Sequence, residues 1–297
     1  MLKITVPASS ANLGAGFDAL GLALTLYNRV WMEEADGCHI ESADDVPIPT
    51  DESNLIYHTA RLLYERCGRP FYGLHIRQEN HIPMARGLGS SSACLVAGLL
   101  GANTLLGSPL APEDVADLAA ELEGHPDNVA PALLGGLVTA VMDGGRVHTV
   151  SVPVSERIRF AVFIPDFELK TETARAALPG HVTRQDAVYN LSRAALMTAS
   201  LFSGSLQNLR VAVQDRLHQP YRFPMIPGVE PVFYTAYELG AYAVAISGAG
   251  PSVLAILDRD NTTFPSLAED ALARAGLTGW TVRIFDCANK GAEVAFD

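Results

Sequence analysis

Between Leu74 and Leu106 the chain passes from an alternating strand pattern, GLHIRQ, through the breaker-rich stretch Pro83-Met84-Ala85-Arg86-Gly87-Leu88-Gly89-Ser90 into apolar residues at helical spacing from Ser91 to Leu106. A strand, a glycine-rich turn and a helix in that order leave few ways to fold. The first turn of a helix carries backbone N–H groups without intrahelical partners and a partial positive charge, and glycines let the backbone close on a ligand. Such a turn is an anion cradle or a capped helix start. Ser90, Ser91 and Ser92 suit both readings, since hydroxyls donate to phosphate oxygens or ligate a magnesium ion carried with them, and serine is also a good N-cap. The stretch is not a Walker A loop, because no Lys-Ser/Thr follows the last glycine, and it is not GxGxxG.

The rest of the chain limits the partners. Its 297 residues carry 21 Lys and Arg against 33 Asp and Glu, a net charge of −12 whose long-range field disfavours nucleic acid and anionic membranes. With 48% hydrophobic and 18% charged residues, the chain can bury a core, and its length suits two domains. Cys38, Cys67, Cys94 and Cys287 form no CxxC pair, and the start MLKITVPASS lacks the progression of a secretory signal, which predicts a reducing cytoplasm. The uncharged run from Leu239 to Leu257 is long enough to cross a bilayer, but three glycines and a proline interrupt it, so it reads as two strands about a turn.

Apolar runs between breakers predict strands at 4–6, 20–31, 74–76, 158–164, on either side of 247–252, at 280–286 and at 291–296. Helices are predicted at 53–67, 91–106, 112–123, 185–201, 206–217 and 264–275, with a further helix after Gly228. Gly124 to Asn128 and the proline-rich His218 to Gly228 read as loops. Strands and helices mix without regular βαβ alternation, which predicts an α+β chain of two domains, 1–153 and 154–297.

Two more glycine-bearing segments stand out. In SSANLGAGFDALG, Asn12 and Asp18 flank glycines; in ISGAGPSVLAI, apolar residues surround Gly248 to Ser252. Each has a plain alternative: a turn residue for Asn12, a helix cap for Asp18, a simple hairpin for the last.

Taken together and in this order, PASSANLGAGFD, IPMARGLGSSSA, EGHPDNVAPALLGG and ISGAGPSV resemble the signature segments of the GHMP kinases, a family that includes galactokinase, mevalonate kinase and homoserine kinase. The resemblance runs over almost the whole chain. Within the family, PASSANLG with GFD, HPDNVAPALLGG and DRLHQPYRFPMIPG look like the homoserine kinase branch. It implies an N-terminal β/α domain with an atypical Gly/Ser-rich phosphate loop and a C-terminal ferredoxin-like domain. It also implies ATP on Pro83, Met84, Ala85, Arg86, Gly87, Leu88, Gly89, Ser90, Ser91 and Ser92, Mg²⁺ on Ser91 and Glu123, and L-homoserine as acceptor. Asn12, Asp18, Asn128, Arg175 and Arg222 match positions that contact the amino acid, with Asp18 suited to its ammonium. Thr171, Arg175 and Asn128 match positions near the reacting hydroxyl. The branch further implies a homodimer.

The residue types meet the chemistry. A zwitterionic amino acid needs a carboxylate for its ammonium and a forked cation for its carboxylate, which Asp18 with Arg175 and Arg222 supply. Several GHMP kinases place a carboxylate where this chain has Asn128, and asparagine takes no proton at neutral pH. Catalysis is then expected to rest on alignment, Mg²⁺ and backbone amides. Asp127 is read as a structural residue of the turn and His125 as orienting the loop. Ala15 stands where the family usually has proline, and the short segment from Glu123 to Asn128 leaves Glu121 as a substitute metal ligand. A same-family kinase with another acceptor and a non-catalytic ATP-binding regulator remain as alternatives. No histidine pair has zinc spacing, and no GxSxG elbow exists. Cys94 reads as a packing residue with some reactivity toward alkylating agents.

Overall fold

The computed structural model describes residues 1–296. The strands are β1 (Leu2–Ala11), β2 (Leu20–Glu34), β3 (Gly37–Ser42), β4 (Gly73–Asn80), β5 (Leu137–Asp143), β6 (Arg146–Val152), β7 (Ile158–Pro165), β8 (Ala243–Ile246), β9 (Val253–Asp258), β10 (Trp280–Phe285) and β11 (Glu293–Phe296). The helices are α1 (Leu55–Arg66), α2 (Ser90–Leu105), α3 (Pro112–Glu123), α4 (Pro126–Leu134), α5 (Thr171–Ala176), α6 (Arg184–Ser203), α7 (Leu209–Ala212), α8 (Gln219–Arg222), α9 (Val229–Glu238) and α10 (Phe264–Arg274).

The first sheet has the order β11-β1-β2-β4-β3, with β5 on β2 and β6 on β5. The 15-residue β2 serves two neighbours, pairing β5 through Leu20–Leu22 and β4 through Asn28–Glu34. The β1–β2 register shifts between Pro7, opposite Tyr27, and Ala8, opposite Leu24, so Thr25 and Leu26 are extra residues on β2 just where β1 reaches Ser9 to Asn12. Helix α2 buries Ala93, Val96, Ala97, Leu99 and Ala102, which anchors its body in the core while Ser90 and Ser91 at its start stay accessible.

The second sheet runs β10-β7-β9-β8, all antiparallel. Numbered along the chain this is 4-1-3-2 with helices after the first and third strands, the split βαβ arrangement expected for a ferredoxin-like unit. Both faces are buried. Phe160, Val162 and Ile164 of β7 join the core of the first sheet, whereas Ala161 and Phe163 pack with Val232 of α9 and Phe264 of α10. The first sheet breaks off at Val152 and the second begins at Ile158, but β11 returns to pair β1, with Leu2 opposite Phe296.

Several segments differ from the sequence reading, which also named no element for β5, β6 or α5. The loop placed at Gly124 to Asn128 shrinks to Gly124 and His125, because Pro126 takes the first position of α4, where its missing N–H costs nothing. The helix expected over 206–217 is a 3₁₀ turn at Leu206–Asn208 followed by α7, ending at Ala212. It stops because the Asp215 carboxylate accepts from the N–H groups of Leu217, His218 and Gln219 and so starts α8 inside the segment read as loop. Strand β3 was not anticipated; it pairs β4 in parallel over only six residues. The Leu239–Leu257 run forms β8, a turn and β9, and no helix of the described residues is long and apolar enough to cross a membrane.

Candidate active site

A cleft of about 590 Å³ opens where the start of α2, the start of α4, the β1–β2 loop, α5 and the β8–β9 turn converge. At one end lies the glycine loop. Gly89, not a serine, occupies the N-cap of α2, with φ 70° and no side-chain cap bond, so the capped-start reading fails. A Cβ on Gly87, which has φ 73°, would lie 2.3 Å from the Ser247 carbonyl oxygen, and one on Gly89 would lie 2.0 Å from Ser9 Oγ. The loop is thus pressed between β1 and the β8–β9 turn, with no room for a side chain. Arg86 holds it there by donating to the carbonyls of Met84, Pro165 and Asp166 at 2.8–3.1 Å. Those bonds keep its guanidinium on the protein backbone.

In the first turn of α2, Ser91 and Ser92 both donate to Glu123 Oε1, at 3.2 and 2.8 Å. Ser92 is buried and Ser91 exposed. Two hydroxyls and a carboxylate at a helix start form an all-oxygen set that fits a small hard cation such as Mg²⁺. Glu121 points elsewhere, forked onto Arg66 at 2.6 and 3.0 Å, so the metal role considered for it has no footing. Burial and the Glu123 carboxylate push the Cys94 thiol up to about 12, which disfavours its thiolate.

The other end is built from side chains. Asn12, at φ 71°, donates to the Gly248 carbonyl at 2.8 Å and accepts from the Asp18 N–H at 3.0 Å, stapling the β1–β2 loop to the β8–β9 turn. Arg175 forks onto Asp18 at 2.8 and 3.0 Å, and that bond raises its pKa. Thr171 lies one turn earlier on α5 and lines the same cleft. Arg222 is 1% exposed, yet it makes no ion pair among the described residues. Its Nη1 donates to the Gly248 carbonyl at 2.9 Å and to His218 Nδ1 at 3.0 Å, and its Nε is buried without a partner. Burial, and then the Arg175 charge, lower its pKa to about 10, leaving it charged at neutral pH.

Asn128 accepts at Oδ1 from Ser9 Oγ at 2.9 Å, so its amide NH₂ is the group free to serve a ligand. Asp127, 2% exposed, is bonded to His125 Nδ1 at 2.8 Å. Burial alone would lower the His125 pKa, but the bond to Asp127 and the charges of Asp127 and Glu123 outweigh it, and the net shift is upward. Ligating atoms of Asp18, His125 and Asp127 lie within 4.8 Å of one another, but His125 already binds Asp127 and Asp18 already binds Arg175.

Every residue singled out from the sequence for the acceptor therefore meets in one cleft. Sequence reasoning missed His218 and Phe17, and it missed Asn54, Gln78 and Asn80, which line the wall beyond the glycine loop with Ile48 and Leu55. For His218 the only signal was its position four residues before Arg222.

The family model described as GHMP kinases N terminal domain matches residues 54–136, and that described as GHMP kinases C terminal matches residues 195–263. The homoserine kinase of Caldicellulosiruptor bescii is 44% identical over 297 residues, spanning 99% of this chain and 97% of that protein. The homoserine kinase of Deinococcus radiodurans is 44% identical over 285 residues, 93% of this chain and 91% of its own. Among solved structures, the homoserine kinase of Cytophaga hutchinsonii superposes with a TM-score of 0.86 at 29% identity, covering 99% of this chain and 97% of that one.

Proposed function

We propose, for a chain that belongs to the homoserine kinases of the GHMP kinase family, that this cleft carries out ATP-dependent phosphorylation of L-homoserine to O-phospho-L-homoserine, with the residues divided as follows. Backbone N–H groups of Met84 to Ser92, in the loop that Pro83 opens, and the start of α2 receive the ATP phosphates, a role that glycine at 87 and 89 suits because no Cβ fits there. The Ser91 hydroxyl and the Glu123 carboxylate would hold Mg²⁺, which supplies charge neutralisation on the phosphates, while buried Ser92 steadies Glu123.

The observation that carries the reading is Arg222. A buried guanidinium without a counter-ion costs several kcal/mol, on the order of the desolvation of one ion, and an anionic group entering the cleft offsets that cost. The homoserine carboxylate is that group. Its ammonium goes to Asp18, whose carboxylate oxygens accept more bonds than the two from Arg175. Thr171 and Arg175, one turn apart on α5, flank the reacting hydroxyl, and Arg175 also meets the moving phosphoryl group.

Asn128, its oxygen held by Ser9, donates its NH₂ to the homoserine hydroxyl oxygen, and as an amide it takes no proton at neutral pH. The hydroxyl oxygen bonds to the γ-phosphorus as the bond to the β-phosphate oxygen breaks, and its proton leaves to a phosphoryl oxygen or to water. In a loose transition state the nucleophile is only weakly bonded, so alignment and charge neutralisation suffice without a strong base. A cytoplasmic location and a homodimer belong to the same reading.

The test is ADP release with MgATP against L-homoserine, mevalonate, shikimate and galactose. Turnover is expected with L-homoserine alone; turnover with mevalonate but not homoserine, or with no acceptor, overturns the reading.

A further inference from the structure

Arg175 and Arg222 are two like charges in one small space, and both lie over the same ring. Their guanidinium carbons stand 5.5 and 5.4 Å from the centroid of Phe17, a half-buried residue of the β1–β2 loop. An aromatic face attracts cations, so one ring lowers the cost of keeping two of them close. The His218 ring stacks on Phe17 with centroids 5.1 Å apart and planes 19° from parallel.

His218 is fully buried, and its partners fix its tautomer. Nε2 lies 2.8 Å from the Gly14 carbonyl, which can only accept, so Nε2 carries the proton. Nδ1 lies 3.0 Å from Arg222 Nη1, which can only donate, so Nδ1 presents its lone pair. The imidazole is therefore neutral, in keeping with burial pushing its pKa down. A neutral imidazole holds a guanidinium without cancelling its charge. A carboxylate at 218 would hold it too, but would leave nothing for a ligand's anion.

Both Nη1 protons of Arg222 are thereby engaged, one on His218 and one on the Gly248 carbonyl. The donors left over, Nε–H and those of Nη2, share one edge of the planar group and form a two-pronged fork, and Nε is the atom buried without a partner. The geometry points to Phe17 and His218 as positioning residues that lock the Arg222 plane so that its Nε/Nη2 edge forks onto the substrate carboxylate. This inference rests on the reading above that Arg222 takes that carboxylate.

The test compares L-homoserine with 3-aminopropan-1-ol, the same amino alcohol without its carboxylate, in the full-length enzyme with MgATP. His218→Asn and Phe17→Leu are each expected to raise KM for L-homoserine about 10–100-fold, the range of a misplaced binding group. KM for MgATP is expected to stay within about threefold in both variants, and kcat/KM for 3-aminopropan-1-ol within about threefold in His218→Asn, since neither substrate needs the locked fork. In Phe17→Leu, whose ring also carries Arg175, the loss with L-homoserine is expected to exceed that with 3-aminopropan-1-ol by about tenfold or more. Adding His218→Asn to Arg222→Gln is expected to cost less than about twofold more, because the group it positions is already gone. Phe17→Leu keeps the test sound where the buried His218→Asn lowers stability. Equal losses with both acceptors, or full additivity in the double variant, would mean that His218 and Phe17 only hold the fold. If Arg222→Gln separates the two acceptors and the positioning variants do not, this inference alone falls; if Arg222→Gln itself does not separate them, the reading of Arg222 falls first.

Discussion

The two ends of the cleft solve opposite electrostatic problems by different means. In the proposed reading the phosphate end binds with backbone: positive-φ Gly87 and Gly89, the first turn of α2, and an Arg86 whose guanidinium is tied to carbonyls. The end proposed for the acceptor is lined with side chains brought from far apart, with Asn12 and Asp18 on one loop, Asn128 on α4, Arg175 on α5 and Arg222 on α8. A backbone cradle recognises any polyphosphate but tolerates no Cβ, whereas a side-chain constellation tolerates conservative change in shape but not in charge. On that reading a chain of net charge −12 takes an anionic nucleotide because amide dipoles and a cation would act at contact range, where the screened long-range field counts for little.

Substitutions separate the two ends. The largest effect is expected from Gly87→Ala, whose Cβ would sit 2.3 Å from a backbone oxygen at φ 73°. A loss of at least about 100-fold in kcat/KM is expected for both substrates, with MgATP binding impaired, because neither backbone can give way. Normal MgATP binding by this variant would show that the loop is not the cradle. Asp18→Asn is expected to raise KM for L-homoserine about 10–100-fold, in line with the ~1.5–3 kcal/mol of a charged hydrogen bond, and to leave MgATP binding unchanged. Parallel losses would make Asp18 a loop support only. Glu123→Gln is expected to raise the Mg²⁺ concentration for half-maximal rate about tenfold, while KM for homoserine at saturating Mg²⁺ stays put. An unchanged Mg²⁺ requirement removes Glu123 from the metal site.

The smallest effect concerns stability and pH. Folded His125 holds its proton more tightly than an ordinary histidine of pKa 6.5, so the stabilisation from its bond to Asp127 is complete below pH 6.5. It is lost as pH rises through the higher folded value, because the folded chain then gives up a proton that the unfolded chain has already lost. In His125→Asn, Tm is expected to lose that pH-dependent part, a change of no more than about 3 °C, with little difference from the parent at alkaline pH. A parent Tm profile identical to the variant's across this range contradicts the assignment.

How much was legible in the sequence follows the same division. The glycine loop was readable because its chemistry is contiguous and local: strand, breakers, helix. So was the α+β mixture, and Asp18, Arg175 and Arg222 could be named as an amino-acid set from residue type and family resemblance. What sequence did not show were contacts set by tertiary packing. Asp127, read as a turn residue, is buried against His125 and lines the cleft, because Pro126 starts a helix there and turns its first residues inward. The helix expected over 206–217 broke for a similar reason: Asp215 caps a later turn and so ends the periodic pattern early. The return of β11 to β1 is a pairing across nearly the whole chain, which no local pattern encodes.

The most direct test of the division is a steady-state comparison of Arg222→Gln with the parent enzyme. KM for L-homoserine is expected to rise about 100-fold or more, the cost of removing one member of a buried charge pair, while KM for MgATP stays within about threefold. A similar rise in both constants, or none in that for homoserine, would contradict it.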